Sequence, residues 1–184
     1  MNIFVLHRDP VKSAKLMCDK HVVKMILESA QMLSTVHHLN GSDIDVSVLY
    51  KPTHKHHPST VWACEHESNY LWLYKHFIAL CDEYTLRYNK THLTFTKLAK
   101  ILATLPHFGI NLPSAPPLAM PEQYWTTPNK YNNTWSDVIK SYQSYYYHEK
   151  RYFAKYTNAD VPSFMKIMPL IYNKGCTLDL EEVL

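Results

Sequence analysis

His21, Lys24, Glu28, Gln31 and Thr35 stand three or four positions apart in one apolar stretch of the chain. On a helix that spacing puts all five on one face. A polar stripe on an otherwise apolar helix has to meet a partner or a wet cavity, because unpaired polar groups are costly to bury. As an active-site wall the stripe offers Glu28 as a general base or electrostatic stabiliser. His21 is then a proton-transfer group, Lys24 an anion binder or amine nucleophile, and Gln31 a substrate contact. As a solvated face it is no more than a Lys24–Glu28 pair one turn apart.

A second cluster precedes Pro58 in the segment YKPTHKHHPS. His54, His56 and His57, with Lys51 and Lys55, stand beside an expected helix start, where main-chain N–H groups favour anions. Phosphate binding by Lys51, His54, His56 and His57 is one reading, and a surface turn with a local excess of histidine is another. Metal binding is the third, with His66, or Cys18 and His21, completing a shell. The chain has no HExxH and no paired CxxC, so neither metal nor other cofactor is expected. The ligand set open to a metal is His21, Glu28, His54 and His57.

Two weaker groupings follow. Glu65, Ser68, Asn69 and Trp72 share a face of a later helix, with Asn69 a candidate substrate contact across a helix pair and a solvated side the plain alternative. Trp125, Tyr131, Trp135 and the run Tyr145–Tyr147 lie among Lys130, Lys140, Lys150, Arg151 and Lys155. Aromatic faces stack on unpaired bases while basic side chains hold phosphates, which makes Trp125 and Trp135 candidate stacking residues. An aromatic core with ordinary lysines outside it explains the same composition.

The elements that must position these residues are helical. Met1–Leu6 is a short apolar run, read as a strand or a buried arm. Asp9 and Pro10 form a cap and first turn, and the apolar periodicity predicts one helix from Pro10 to His38 that stops at Asn40–Gly41. A loop spans 41–57, with a short extended piece at Val46–Tyr50. Further helices are expected over Pro58–Tyr88 and Leu93–Leu105, and from a Thr134 cap to about Tyr156. The proline-rich, aromatic stretch Pro106–Asn133 reads as an irregular surface wrap. The tail from Thr157 is mixed, with an acidic end at Asp179–Glu182 that is expected to be loosely held.

The 184 residues suit one mainly α, compact single domain with an N-terminal extended arm and a Pro/aromatic-rich loop. Nineteen Lys and Arg against sixteen Asp and Glu leave a net charge of +3, which permits nucleic acid binding without requiring it. Three glycines argue against glycine-rich phosphate loops, and neither GxGxxG nor a P-loop is present. Cys18, Cys64, Cys81 and Cys176 read as free thiols of a reducing compartment. No signal peptide or membrane-spanning run is expected, so a cytoplasmic protein follows, with its oligomeric state open.

The segments CDKHVVKMILESAQMLST (18–35), YKPTHKHHPSTVW (50–62), NYLWL (69–73) and PPLAMPEQY (116–124) resemble a family of small bacteriophage proteins, most of them without an assigned function. That resemblance implies phage origin and action inside an infected bacterial cell. The arm, the first helix with its carboxylate and the helical body are more remotely similar to the phage pyrimidine-dimer DNA glycosylases. Those enzymes attack the damaged nucleotide with an N-terminal amine and use a glutamate on the first helix. Glu28 is the matching carboxylate, and Lys20, Lys24 and His21 stand where that family carries arginines. Asn2 is too large for ready removal of Met1, which puts the free amine on Met1.

Three functions follow from these observations. A DNA-base enzyme excising or modifying a pyrimidine uses Glu28, His21 and Lys24 for chemistry, with DNA as its partner. A metal-dependent hydrolase or oxygenase uses the four-ligand set above. A non-enzymatic phage inhibitor of a host protein needs only an exposed aromatic patch.

Overall fold

The structure is a computed structural model and describes residues 2–128 and 133–166. Tyr131, Lys130, Cys176 and the acidic end Asp179–Glu182 lie outside the described residues, as does Met1.

Seven α-helices are present among the described residues: α1 Pro10–Lys15, α2 Asp19–Asn40, α3 Pro58–Glu65, α4 Glu67–Tyr88, α5 Leu93–Leu98, α6 Trp135–Lys150 and α7 Ser163–Lys166. Helix α4 packs against both α1 and α2, α3 lies on α2 and α4, and α6 carries α7. Ile3, Leu6, Met17, Met25, Ile26, Leu33, Tyr70, Leu73, Phe77, Tyr142 and Tyr146 fill the shared core. Residues Asn2–Leu6 form an arm rather than a strand, and Ile3, Phe4, Val5 and Leu6 of that arm are buried.

The expected helix from Pro10 is two helices. Cys18 is extended (φ −70°, ψ 159°) and caps α2. The break leaves carbonyls without helical partners, and one guanidinium takes them. Arg87 donates to Lys15 O at 3.2 Å and to Met17 O at 2.8 Å, while the Tyr146 hydroxyl accepts the Cys18 N–H at 2.9 Å. Arg87 also pairs with Glu83 at 2.9 Å and Asp19 at 3.0 Å. Asp19 in turn accepts from the Thr157 N–H and hydroxyl, tying the segment after α6 to the start of α2. The end of α2 falls at Asn40, with Gly41 at φ 79°.

The expected helix Pro58–Tyr88 also breaks, at His66 (φ −153°, ψ 145°). The cause is a cap: His66 Nδ1 accepts the Ser68 N–H at 2.9 Å. His57 does the same for Ser59 at the start of α3, and His92 for Thr94 at the start of α5. A neutral imidazole nitrogen takes here the place usually held by an Asp or Ser oxygen. Helix α5 stops earlier than expected, and a 3-10 turn follows at Ile101–Ala103. There Tyr74 and Tyr70 hydroxyls donate to the carbonyls of Ala99 and Leu102. Val46–Val48 is a 3-10 turn capped by Asp45, not an extended piece.

Thr134 caps α6 in a reciprocal box with Asp137, and the helix ends at Lys150, short of Tyr156. The stretch 106–128 is irregular, as its prolines require, but it is more than a surface wrap. Leu118, Met120, Tyr124 and Trp125 reach into the core.

Candidate active site

The arm brings the start of the chain onto α2, and Asn2 makes the junction. Its Oδ1 accepts from the N–H groups of Ile3 (2.7 Å) and Phe4 (3.2 Å), and its Nδ2 donates to Ala119 O at 2.8 Å. Its main-chain N–H donates to Glu28 Oε2 at 3.2 Å. The other carboxylate oxygen of Glu28 lies 3.3 Å from Lys24 Nζ; the Lys24 side chain is 64% exposed and that of Glu28 13%. Glu28 therefore sits between an ammonium open to solvent and the main chain of the arm.

Phe4 holds the arm in this register. Its φ of 52° is seldom adopted by a side-chain-bearing residue. Its ring stacks on His21 at 4.3 Å, lies nearly parallel to Tyr145 at 6.2 Å and meets Tyr146 edge-on. His21 is buried, and its Nδ1 lies 2.8 Å from the Tyr146 hydroxyl. Burial first, then the charges of Lys150, Lys24 and Lys20, lower its pKa to about 3. A buried imidazole that stays neutral through the physiological range supports Phe4 and is poorly placed to exchange protons with substrate.

Helix α6 packs on Phe4 through Tyr145 and Tyr146. Lys150 Nζ lies 4.6 Å above the Tyr145 ring, Tyr145 meets Tyr124 at 5.2 Å, and the Tyr124 hydroxyl donates to Glu149. Lys20 lies over Phe153 at 4.8 Å. Lys20, Lys24 and Lys150 thus form a basic rim, close enough to His21 for all three charges to disfavour its protonation. The sequence reading missed Asn2 as the link to Glu28, and Phe4, Tyr145 and Lys150 as neighbours that hold the arm. The arm's apolar pattern and the lysine among the tyrosines were visible, but not their meeting, which spans more than a hundred positions.

The histidine turn reaches the other end of the stripe. Thr35 Oγ1 donates to Gln31 O at 2.7 Å and accepts the Thr53 N–H at 3.2 Å. This sets His54 beside the upper turns of α2, with Gln31 half-buried between the turn and Glu28. His54 has φ 49°, and its Nδ1 lies 2.7 Å from Thr53 Oγ1; His54, His56, Lys51 and Lys55 are exposed. His57 is the α3 cap. Among the described residues no three His, Cys, Asp or Glu side chains gather as a metal requires. The set His21, Glu28, His54 and His57 is not assembled, since His21 is buried against Tyr146 and His57 faces the start of α3.

The remaining candidates hold other parts of the fold. Asn69 is buried and donates to Trp62 O at 2.9 Å, joining α4 to α3. Trp125 is 9% exposed and donates to Met120 O, so its ring faces are core and not a free stacking surface. Trp135 is half-buried, 5.8 Å from Trp72.

Fold and site together define a helical protein whose N-terminal arm folds back onto a carboxylate of α2. A family model described as pyrimidine dimer DNA glycosylase matches residues 1–96. That span covers just over half of the chain, and the chain belongs to that family. The match includes the arm, Glu28, Lys24 and the histidine turn and ends within α5; α6 lies beyond it. No curated protein and no solved structure matches the chain. No helix among the described residues is long and apolar enough to cross a membrane.

Proposed function

We propose that this protein is a DNA glycosylase that releases a damaged pyrimidine, with Glu28 as the catalytic carboxylate. The observation that carries the reading is the contact between the Asn2 N–H and Glu28, which sets the start of the chain beside a carboxylate on a basic surface. As the bond between C1′ and the base breaks, positive charge develops on the sugar, and Glu28 stabilises it. An amine then bonds to C1′, the base leaves with the bond electrons, and Glu28 takes the proton the amine sheds; breaking the C1′–O4′ bond, with the proton passed to O4′, opens the sugar to the imine. We assign the attack to the α-amino group ahead of the arm. Lys24 holds Glu28 in place, and with Lys20, Lys150, Lys51 and the exposed His54 and His56 it engages phosphates; Gln31 lies along the same face. Action on the DNA of a phage-infected cell follows from the resemblance to phage proteins.

Glu28→Gln keeps the shape of the side chain and removes its charge. Base release from ultraviolet-irradiated duplex should fall by about 100-fold or more, with DNA binding retained. Borohydride should trap a covalent complex with wild type, and peptide mapping should place the label on the N-terminal peptide. A label on Lys24 would move the nucleophile to that residue. Full activity in Glu28→Gln would overturn the assignment of the carboxylate.

A further inference from the structure

Arg8, just past the arm, lines a cleft of about 760 Å³ whose wall includes neither Glu28 nor His21. That volume falls in the usual range for small-molecule sites, roughly 300–1,000 Å³. Trp62, Trp72 and Trp135 give it an aromatic floor and wall, and Arg8, Ser68 and Ser136 stand at its polar edge. Both buried indoles are fixed by their N–H groups. Trp62 donates to Ser114 O at 3.1 Å, and Trp72 donates to Arg8 O at 2.6 Å. What they present to the cleft is therefore carbon. Arg8 is exposed, with its guanidinium 5.9 Å from the centre of the Trp135 ring. It is the only charged side chain among the described residues that line the cleft. The first turns of α4 and α6 also open here, at Ser68 and Ser136.

An aromatic floor is suited to a planar apolar group. A single guanidinium at the edge, with hydroxyls beside it, is suited to a phosphate. We propose that the cleft binds a nucleotide, its base against Trp135 and its phosphate on Arg8. A free mononucleotide and a nucleotide carried on a single strand present the same chemistry. The site is separate from the Glu28 centre and does not depend on the reaction proposed there.

Isothermal titration of the full-length protein with thymidine 5′-monophosphate, thymidine, inorganic phosphate and a 5′-phosphorylated tetrathymidylate tests this. Saturable binding of the monophosphate or the tetramer is expected, weakened roughly tenfold or more by Arg8→Ala, which removes a charge-assisted contact and leaves the Arg8 carbonyl to Trp72. Trp135→Leu should weaken it as well, and thymidine and phosphate alone should each bind more weakly than the combined ligand. Where Arg8→Ala weakens both, tighter binding of the tetramer assigns the cleft to a strand, and tighter binding of the monophosphate assigns it to a free nucleotide. Either result supports the site. No saturation with either ligand, affinity unchanged in both variants, or phosphate binding as tightly as the nucleotide would overturn it. Lys20→Ala and Lys150→Ala, which remove phosphate contacts proposed for the Glu28 centre, should leave the Arg8-dependent titration unchanged, so failure of this proposal and failure of the glycosylase reading are told apart.

Discussion

At the scale of single residues, the arm depends on Phe4. Its left-handed backbone costs energy that the packing of its ring against His21, Tyr145 and Tyr146 offsets. The same packing keeps Asn2 against Glu28. Phe4→Ala should destabilise the protein by about 3 kcal/mol, the usual scale for emptying a buried aromatic site. Base release should fall further than the fraction of folded protein does, because the arm loosens from Glu28. Urea denaturation and single-turnover kinetics on the same preparation separate the two effects; an arm variant that is destabilised but fully active per folded molecule would show that the register of the arm does not matter to the reaction. His21 belongs to this scale as well. Its type and spacing suggested proton transfer, but the environment that decides its charge comes from α6, the arm and the lysines around it, none of which its own helix reveals.

At the scale of elements, the break between α1 and α2 is the decisive feature. It redirects the chain so that the arm returns along α2, and Arg87 braces it from α4. The guanidinium is fully buried and satisfies two carbonyls and two carboxylates. Arg87→Met would fill the space but leave Glu83 as a buried carboxylate without its cation, at a cost of roughly 3–5 kcal/mol. The loss should appear as a lower urea midpoint, together with faster hydrogen exchange at Met17–His21. An Arg87→Met protein as stable as wild type would mean that the bend is set by packing alone. Histidine caps are the other device of this scale. His57, His66 and His92 each accept an N–H through Nδ1, so part of the high histidine content serves helix starts and not chemistry. Periodicity carried the apolar pattern straight through both breaks, because a cap residue and a helical residue of the same type look alike until the main chain is seen.

At the scale of the whole molecule, three histidines among the described residues are buried in the neutral form. His21 and His76 have pKa values lowered to about 3 and His37 to about 4, with burial the first cause in each, against an ordinary value of 6.5. The unfolded chain binds these protons first as the pH falls. Stability is therefore fully present above about pH 6.5 and is lost as the pH drops toward 4, by about 1.4 kcal/mol per pH unit for each histidine. His76 is stacked on Trp72, and neither of its ring nitrogens has a hydrogen-bond partner among the described residues. His76→Phe should keep or raise stability at pH 7.5 and make the decline between pH 6.5 and pH 5 shallower by about one histidine's share. Urea titrations at several pH values measure both, and an unchanged slope would remove His76 from the acid sensitivity. Seen whole, the sequence by itself determined the mainly helical class, the N-terminal arm, the stop at Gly41, the Thr134 cap and the stripe bearing Glu28, because those follow from local spacing and main-chain chemistry. Only the tertiary structure decided where the long helices break, which histidines serve as caps, that Trp125 belongs to the core, that Asn2 reaches Glu28, and that Phe4 of the same arm packs on His21 and Tyr145. Those outcomes depend on contacts between residues far apart in the chain, and no local pattern encodes which of two buried or exposed surfaces a side chain will find.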